Sequence, residues 1–405
     1  MKNKVARITF IAGLLFLFFI FSVQLVYSSE YINSDFFSFW LAGHMVWTGE
    51  DPYVASTWIQ GHYQYGATWI SDNTFLYPLP LSIIFSPLGL LKLDHAYIAW
   101  IFLSECVIGA SIYTLSLLWK PPKISHLLIP TTIGLIFFRP VYMTLHNGQL
   151  GALFLLVITL VIYFWENDKW VQGSIFLPFL ALKPQYGIPI IVFLILWLWL
   201  QKRKYTAVAA FSGSSILLIA SGWIKNPLWI NEFITIIRNK SEQTLGYNPT
   251  IWGVSGFICK HQLPCVFIFG GIASALLIIL ICYFILRVSN ISPAFFIGIA
   301  VTTSLIITPY IWAYDLILLT LPILLVIIYL TNNDFPKIIA TSVFPFFSAV
   351  ALGLLVPAYR LAVDVWSTAL PVLVLIGLMY FYLRRFPLNL THPTSYKTNR
   401  HDLSI

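Results

Sequence analysis

Apolar residues run along this chain in long unbroken stretches, with short polar segments between them. A helix needs about 20 such residues to cross hydrocarbon, whereas a membrane β-strand would alternate over about ten. The runs near 8–27, 95–118, 127–143, 148–165, 171–184, 186–200, 205–223, 264–286, 291–307, 310–330, 336–356 and 364–383 therefore predict an all-α polytopic protein with about twelve crossings. The two runs on either side of Lys183-Pro184 are short and predict half-helices. The stretch 77–91 is apolar too, but a crossing there would invert the charge pattern downstream. It is expected to be a re-entrant or interfacial helix, and Phe36 to Trp47 a second helix lying along the interface.

Composition agrees with this pattern. The chain is 59% hydrophobic and 9% charged, against about 25% charged in ordinary soluble domains. Its net charge of +8 is not a nucleic-acid footprint, because the cations sit in clusters between apolar runs: Lys2/Lys4/Arg7, Lys120/Lys123, Lys202/Arg203/Lys204 and Arg384/Arg385. That arrangement sets orientation in a membrane. It predicts a multi-pass inner-membrane protein with both termini cytoplasmic. The expected organisation is one domain over 1–385, with outside loops 28–94 and 224–263, followed by a polar cytoplasmic tail over 386–405. The first run lacks a small-residue cleavage site and reads as a retained span. From Ile8 to Leu91 there is no Lys or Arg, and Glu30, Asp35, Glu50, Asp51 and Asp72 are acidic, so this segment passes outward easily. The four cysteines form no metal-binding spacing. Cys259 and Cys265 share an outside loop, where the chemistry permits a disulfide.

Several polar residues stand where they are costly. Asp35 follows the first span and precedes an aromatic helix, where lost hydration raises a carboxyl pKa toward that of a useful base; a helix N-cap is the plain alternative. Lys183 and Arg139 lie near outer ends of spans, where a cation costs roughly 2.5–3.5 kcal/mol on insertion scales. Each is expected to have a function or a partner there, unless it snorkels to the interface. Arg360, beside Asp364, is a weaker candidate and suits an interfacial salt bridge. His146, Asn147 and Gln149 cluster at the same outer face, where their imidazole and amide groups could bind a polar ligand or cap a helix end. Asp315, in an apolar run, could pair with a cation, hold a metal or bind a hydroxyl.

Asp35 after the first span, Gly49…Pro52-Tyr53 and Tyr77-Pro78-Leu79-Pro80 come first in an ordered series. Asn147-Gly148-Gln149, Leu182-Lys183-Pro184, Asn248-Pro249-Thr250-Ile251-Trp252-Gly253 and Thr308-Pro309-Tyr310-Ile311-Trp312 follow. The series resembles glycosyltransferase family 87, bacterial GT-C-fold enzymes that use polyprenyl-phosphate-mannose. The chain departs from the family in lacking a His after Trp312, where Ala313-Tyr314-Asp315 stand, and in Leu79 interrupting a Pro-Pro pair.

The resemblance implies an inverting α-mannosyltransferase with Asp35 as general base. Its partners would be a polyprenyl-phosphate-linked sugar donor, a lipid or glycan acceptor and the surrounding membrane lipids, with no nucleic acid. The donor phosphate would meet Lys183 and Arg139; His146, Asn147, Gln149, Asn248, Trp312 and Asp315 would hold the sugar or acceptor. A lipid-borne donor needs no nucleotide fold and implies no organic cofactor; a divalent cation stays open, with no metal ligands marked in the sequence. Two rival classes share the polytopic pattern. A transporter or flippase of lipid-linked glycans would show paired halves and midplane charges, and an O-antigen polymerase or ligase would carry arginines outside, whereas 28–76 has none.

Overall fold

The computed structural model describes residues 2–28, 31–68, 70, 72–119, 125–200, 205–287, 291–332, 335–361 and 364–385; the 386–405 tail lies outside the described residues. The chain is helical, and no strand occurs among the described residues. The first half contains α1 (Lys2–Ser28), α2 (Asp35–Thr48), α3 (Ala55–Gln64), α4 (Pro80–Gly89), α5 (Leu93–Trp119), α6 (Ser125–Ile136), α7 (Arg139–His146), α8 (Gly151–Glu166) and α9 (Trp170–Ser174). The second half contains α10 (Pro184–Leu200), α11 (Tyr205–Lys225), α12 (Trp229–Thr244), α13 (Ile251–Ile258), α14 (Leu263–Arg287) and α15 (Pro293–Ile307). It closes with α16 (Thr320–Asn332), α17 (Lys337–Gly353), α18 (Leu355–Leu361) and α19 (Ala369–Arg385). Short 3-10 turns at Leu177–Leu182, Ala313–Leu319 and Val365–Thr368 lead into α10, α16 and α19.

Six of the described helices are long and apolar enough to cross a bilayer, or seven if the bent pair α7 and α8 forms one span. Five more apolar helices are shorter, at 10–17 residues. Full-length helices thus account for six or seven of the twelve or so expected crossings among the described residues. Prolines and turns divide other runs. The run at 127–143 breaks at Phe137-Phe138 into α6 and α7, and the run at 171–184 becomes α9 plus a 3-10 turn. Lys183 itself lies outside the helical region (φ −129°, ψ 80°), in keeping with the bias of a residue before proline away from the helix.

The two expected surface helices are present. The ten residues of α4 rise about 15 Å, half of a hydrocarbon core of about 30 Å. Rather than lying free at an interface, α2 is buried against α4, with Phe36, Phe37, Phe39, Trp40, Leu41 and Met45 in the core. The two backbones touch. A Cβ on Gly43 would meet Phe85 O at 2.6 Å, and one on Gly89 would meet the backbone of His44 and Gly43 inside 3.0 Å. Small residues permit this crossing, as they do between membrane helices.

Side-chain contacts divide the bundle into two poles. At one pole the C-terminal end of α8 meets the N-terminal end of α15, where Glu166 accepts a hydrogen bond from Ala294 N at 2.8 Å. There Trp165, Trp197 and Phe296 stack at 5.7 and 5.0 Å between centroids, and Phe295 meets Tyr382 at 4.4 Å. The basic clusters of the sequence adjoin helix ends that point to this pole: the start of α1 and the ends of α5, α10 and α19. The opposite pole gathers the end of α1, the starts of α5, α8 and α10, and the segments 244–252 and 307–315.

Candidate active site

The second pole is built on a break in the backbone. Between α7 and α8 the chain turns through 119° around Gly148, whose φ of +61° lies in the left-handed region. A Cβ there would also strike Phe36 Cβ at 2.5 Å. Breaking a helix in apolar surroundings frees carbonyls that must find donors. Three consecutive ones do: Tyr97 OH donates to His146 O, Phe36 N to Asn147 O at 3.1 Å, and Trp100 Nε1 to Gly148 O at 2.8 Å. The same bonds fix the start of α2, since Phe36 follows Asp35.

Asp35 is the first residue of α2, one place after the cap residue Ser34. Ser34 Oγ donates to Tyr31 O at 2.7 Å, and the Asp35 carboxylate caps no backbone N–H among the described residues. The carboxyl is crowded by protein. Burial raises its pKa above the ordinary carboxylate value; Gln149 and Lys183 act against the shift, and the charges of Asp315 and Asp72 add to it. The Tyr77 hydroxyl is likewise pushed up by burial and then by the Asp35 charge. Burial raises Tyr310 as well, with Asp35 and Asp315 adding to it and a hydrogen bond from Trp312 opposing it.

Lys183 is the site's cation, held where the Pro184 break delivers it to the start of α10. Its Nζ donates to Asp315 Oδ1 at 2.5 Å and to Gln149 Oε1 at 3.0 Å, and it lies 4.7 Å from the Tyr314 ring centroid. Lys183 and Asp315 are each 1% exposed. The second oxygen of Asp315 accepts Trp312 N at 3.0 Å, which locks the 3-10 turn behind Tyr310 and Trp312. Trp312 remains 38% exposed, with Nε1 donating to Tyr310 OH at 2.7 Å, and so offers an open aromatic face beside the carboxylates.

The other expected site residues are placed as follows. Asn248 is buried and donates to Pro309 O at 3.3 Å, which holds the turn before Tyr310. His146 Nδ1 approaches Asn147 Oδ1 at 3.3 Å at the lip of the break. Arg139, expected to join Lys183 on a phosphate, is instead committed to another carboxylate. Its guanidinium binds Asp364 through both oxygens at 3.2 Å, with Ser367 Oγ at 3.3 Å. The fork geometry of guanidinium and carboxylate explains that choice, and Arg139 stands roughly 10 Å along α7 from His146. Asp364 thus pairs with Arg139 rather than with its neighbour Arg360. Cys259 and Cys265 are joined by a disulfide at the corner of α13 and α14. No group of three His, Cys, Asp or Glu side chains placed to hold a metal occurs among the described residues.

Tyr186 and Tyr314 escaped the sequence reading. Both rings flank Lys183 Nζ, at 5.7 and 4.7 Å. Tyr186 lies in the first turn of α10, three positions after Lys183, and no sequence signal marks it. Its hydroxyl and the Gln149 Nε2 are buried with no hydrogen-bond partner. Buried donors left unpaired beside two carboxylates and a lysine suit a ligand rich in oxygen.

A profile of glycosyltransferase family 87 matches residues 75–309. The match takes in Tyr77, Gln149, Lys183, Tyr186 and Asn248, while Asp35, Trp312 and Asp315 flank it. No curated protein and no solved structure matches the chain. The matched region covers more than half of the 405 residues, and the chain belongs to glycosyltransferase family 87.

Proposed function

We propose that this glycosyltransferase moves a hexose, mannose by the resemblance of its sequence landmarks, from a polyprenyl-phosphate carrier to a lipid-linked or glycan acceptor. The transfer inverts the anomeric centre, and Asp35 is the general base. One observation carries this reading: a carboxyl with a raised pKa stands beside a cation in a cluster that also holds unpaired donors. A base of this kind takes the acceptor's hydroxyl proton as the oxygen attacks the anomeric carbon. The bond from that carbon to the phosphate oxygen breaks, and the carrier leaves as a phosphate that needs positive charge and N–H or O–H donors rather than a proton. Lys183 has a third N–H beyond those used by Asp315 and Gln149; that donor and the Tyr186 hydroxyl are assigned to the phosphate. His146, Asn147 and Trp312 border the sugar or acceptor, and Arg139 serves the architecture through Asp364.

The site pole is assigned to the extracytoplasmic face of the inner membrane, and the bundle to the GT-C type. Support comes from the sequence positions of the basic clusters, next to the helix ends that point to the opposite pole, as in cytoplasmic loops. A carrier confined to the bilayer also explains why a nearly loop-free protein suffices. The test is reconstitution of the purified chain in proteoliposomes with synthetic polyprenyl-phosphate hexoses and an extract of lipid-linked acceptors. Transfer from the mannose donor, with an inverted linkage in the product, is expected. Release of sugar from nucleotide donors alone, or movement of lipid-linked glycan across the bilayer without bond formation, contradicts the reading.

A further inference from the structure

Gln149 occupies a singular place among the polar groups of the site. It is fully buried at the start of α8, its backbone N–H tied to Thr144 O at 2.8 Å. Its side-chain oxygen faces Lys183 Nζ at 3.0 Å. A lysine ammonium only donates, so the atom it touches is the amide oxygen, and the amide nitrogen must point the other way. That nitrogen is buried with no hydrogen-bond partner, and the bond from Phe36 N to Asn147 O at 3.1 Å brings the start of α2, with Asp35, against the turn that carries Gln149; the amide favours the charged form of the Asp35 carboxyl. Lys183 is itself held by Asp315 at 2.5 Å, and Asp315 by Trp312 N at 3.0 Å. The chain of contacts runs from the 3-10 turn at Ala313–Leu319, through the start of α10, to the break before α8, and ends facing Asp35.

We infer that Gln149 is a positioning residue: the Asp315–Lys183 pair fixes its amide oxygen, which turns the amide nitrogen toward Asp35 and aims the base carboxylate at the acceptor. The inference rests on Asp35 being the base. It gives the buried ion pair a task beyond binding phosphate, since without Lys183 the amide could turn and present its oxygen to the carboxylate.

Other charged and titratable groups also face Asp35. Lys183, Asp315 and Asp72 contribute charge; Tyr77, Tyr310 and Tyr314 contribute hydroxyls, and Tyr97 completes the set from α5. Gln149→Glu isolates the amide's share. The substitution keeps an oxygen for Lys183 but turns the donor facing Asp35 into a second anion. Measured in proteoliposomes, kcat should fall at least about tenfold at neutral pH, and the acid limb of the kcat profile should move up by about one pH unit or more. Donor KM should change less than about threefold. Gln149→Leu should lower kcat and move the acid limb up by less than Gln149→Glu does, and Gln149→Asn should keep the acid limb near that of the wild type with partial turnover.

A folded Gln149→Glu protein with an unmoved acid limb overturns the inference, as does a defect confined to KM, which would make Gln149 a sugar ligand instead. Should Gln149→Glu fail to fold, the Gln149→Leu and Gln149→Asn pair decides: equal kcat and equal acid limbs in those two variants also overturn the inference. Full turnover by Asp35→Asn is a separate result; it removes the base itself, whatever the Gln149 variants do.

Discussion

Lys183 Nζ lies 2.5 Å from Asp315 Oδ1, with both side chains 1% exposed. A buried pair of this kind adds little over an apolar substitute, but removing one partner strands the other charge at a cost of about 3–5 kcal/mol. Lys183→Met should therefore lower the unfolding temperature in detergent clearly, and Lys183→Met with Asp315→Leu should regain most of that loss. Neither protein should transfer sugar. Unfolding curves and turnover for the two variants check this; a stable, active Lys183→Met protein contradicts it.

Close contact between α2 and α4 gives a second prediction. With Phe85 O only 2.6 Å from where a Gly43 Cβ would stand, Gly43→Val forces the helices apart and opens the aromatic layer around Phe36, Phe39 and Phe85. Backbone cannot yield as a flexible side chain does. Gly109→Ala, with nothing within 4 Å of its Cβ, is the control in a membrane helix. The yield of monodisperse protein after solubilisation should collapse for the first and hold for the second.

Much of this site could be read in the sequence, because charges are expensive where the chain is apolar. Asp35, Lys183 and Asp315 stood out for that reason, and the structure brings them into one cluster. Partners were harder to read. Arg139 is conspicuous by the same rule, but Asp364 lies 225 residues further on, and spacing offers no hint that the two meet. The tyrosines around Lys183 look like ordinary interfacial aromatics in a chain with 21 of them. Span counting is weakest at particular prolines: Pro178 opens a 3-10 turn and Pro184 opens α10, and both leave hydropathy high where one element gives way to the next. The helix expected over 36–47 is present, yet its burial under α4 depends on Gly43 and Gly89, whose packing role no hydropathy pattern shows.

The raised pKa of Asp35 makes stability and activity run in opposite directions with pH. Burial, its largest cause, keeps the proton on more tightly in the folded chain than at the ordinary value of 3.8. The stability contributed by that proton is complete below the unfolded value and is lost as pH rises through the raised folded value. Transfer needs the empty carboxylate, so kcat/KM should fall as pH drops through the same window. Paired profiles of unfolding temperature and kcat/KM check this; an acid limb near 3.8 contradicts it.

The cysteines give a chemical prediction. The Cys259–Cys265 bridge closes a short loop with a sequence separation of 6, worth about 2 kcal/mol by loop entropy. Denatured protein should react with two equivalents of maleimide, at Cys106 and Cys282, and with four after reduction. Cys259→Ser with Cys265→Ser should loosen the α13 corner that holds Asn248 and Trp252, lowering turnover more than it lowers the yield of folded protein. Four reactive thiols without reductant contradict the bridge.

The most direct test of the whole account is the turnover of Asp35→Asn in proteoliposomes with a synthetic polyprenyl-phosphate hexose. The amide keeps the size and the place of the carboxyl at the start of α2 but cannot accept a proton. Unfolding like that of the wild type, donor binding intact and transfer reduced by about 100-fold or more is the predicted result. Wild-type turnover from a folded Asp35→Asn protein would contradict the central claim that this carboxylate is the base.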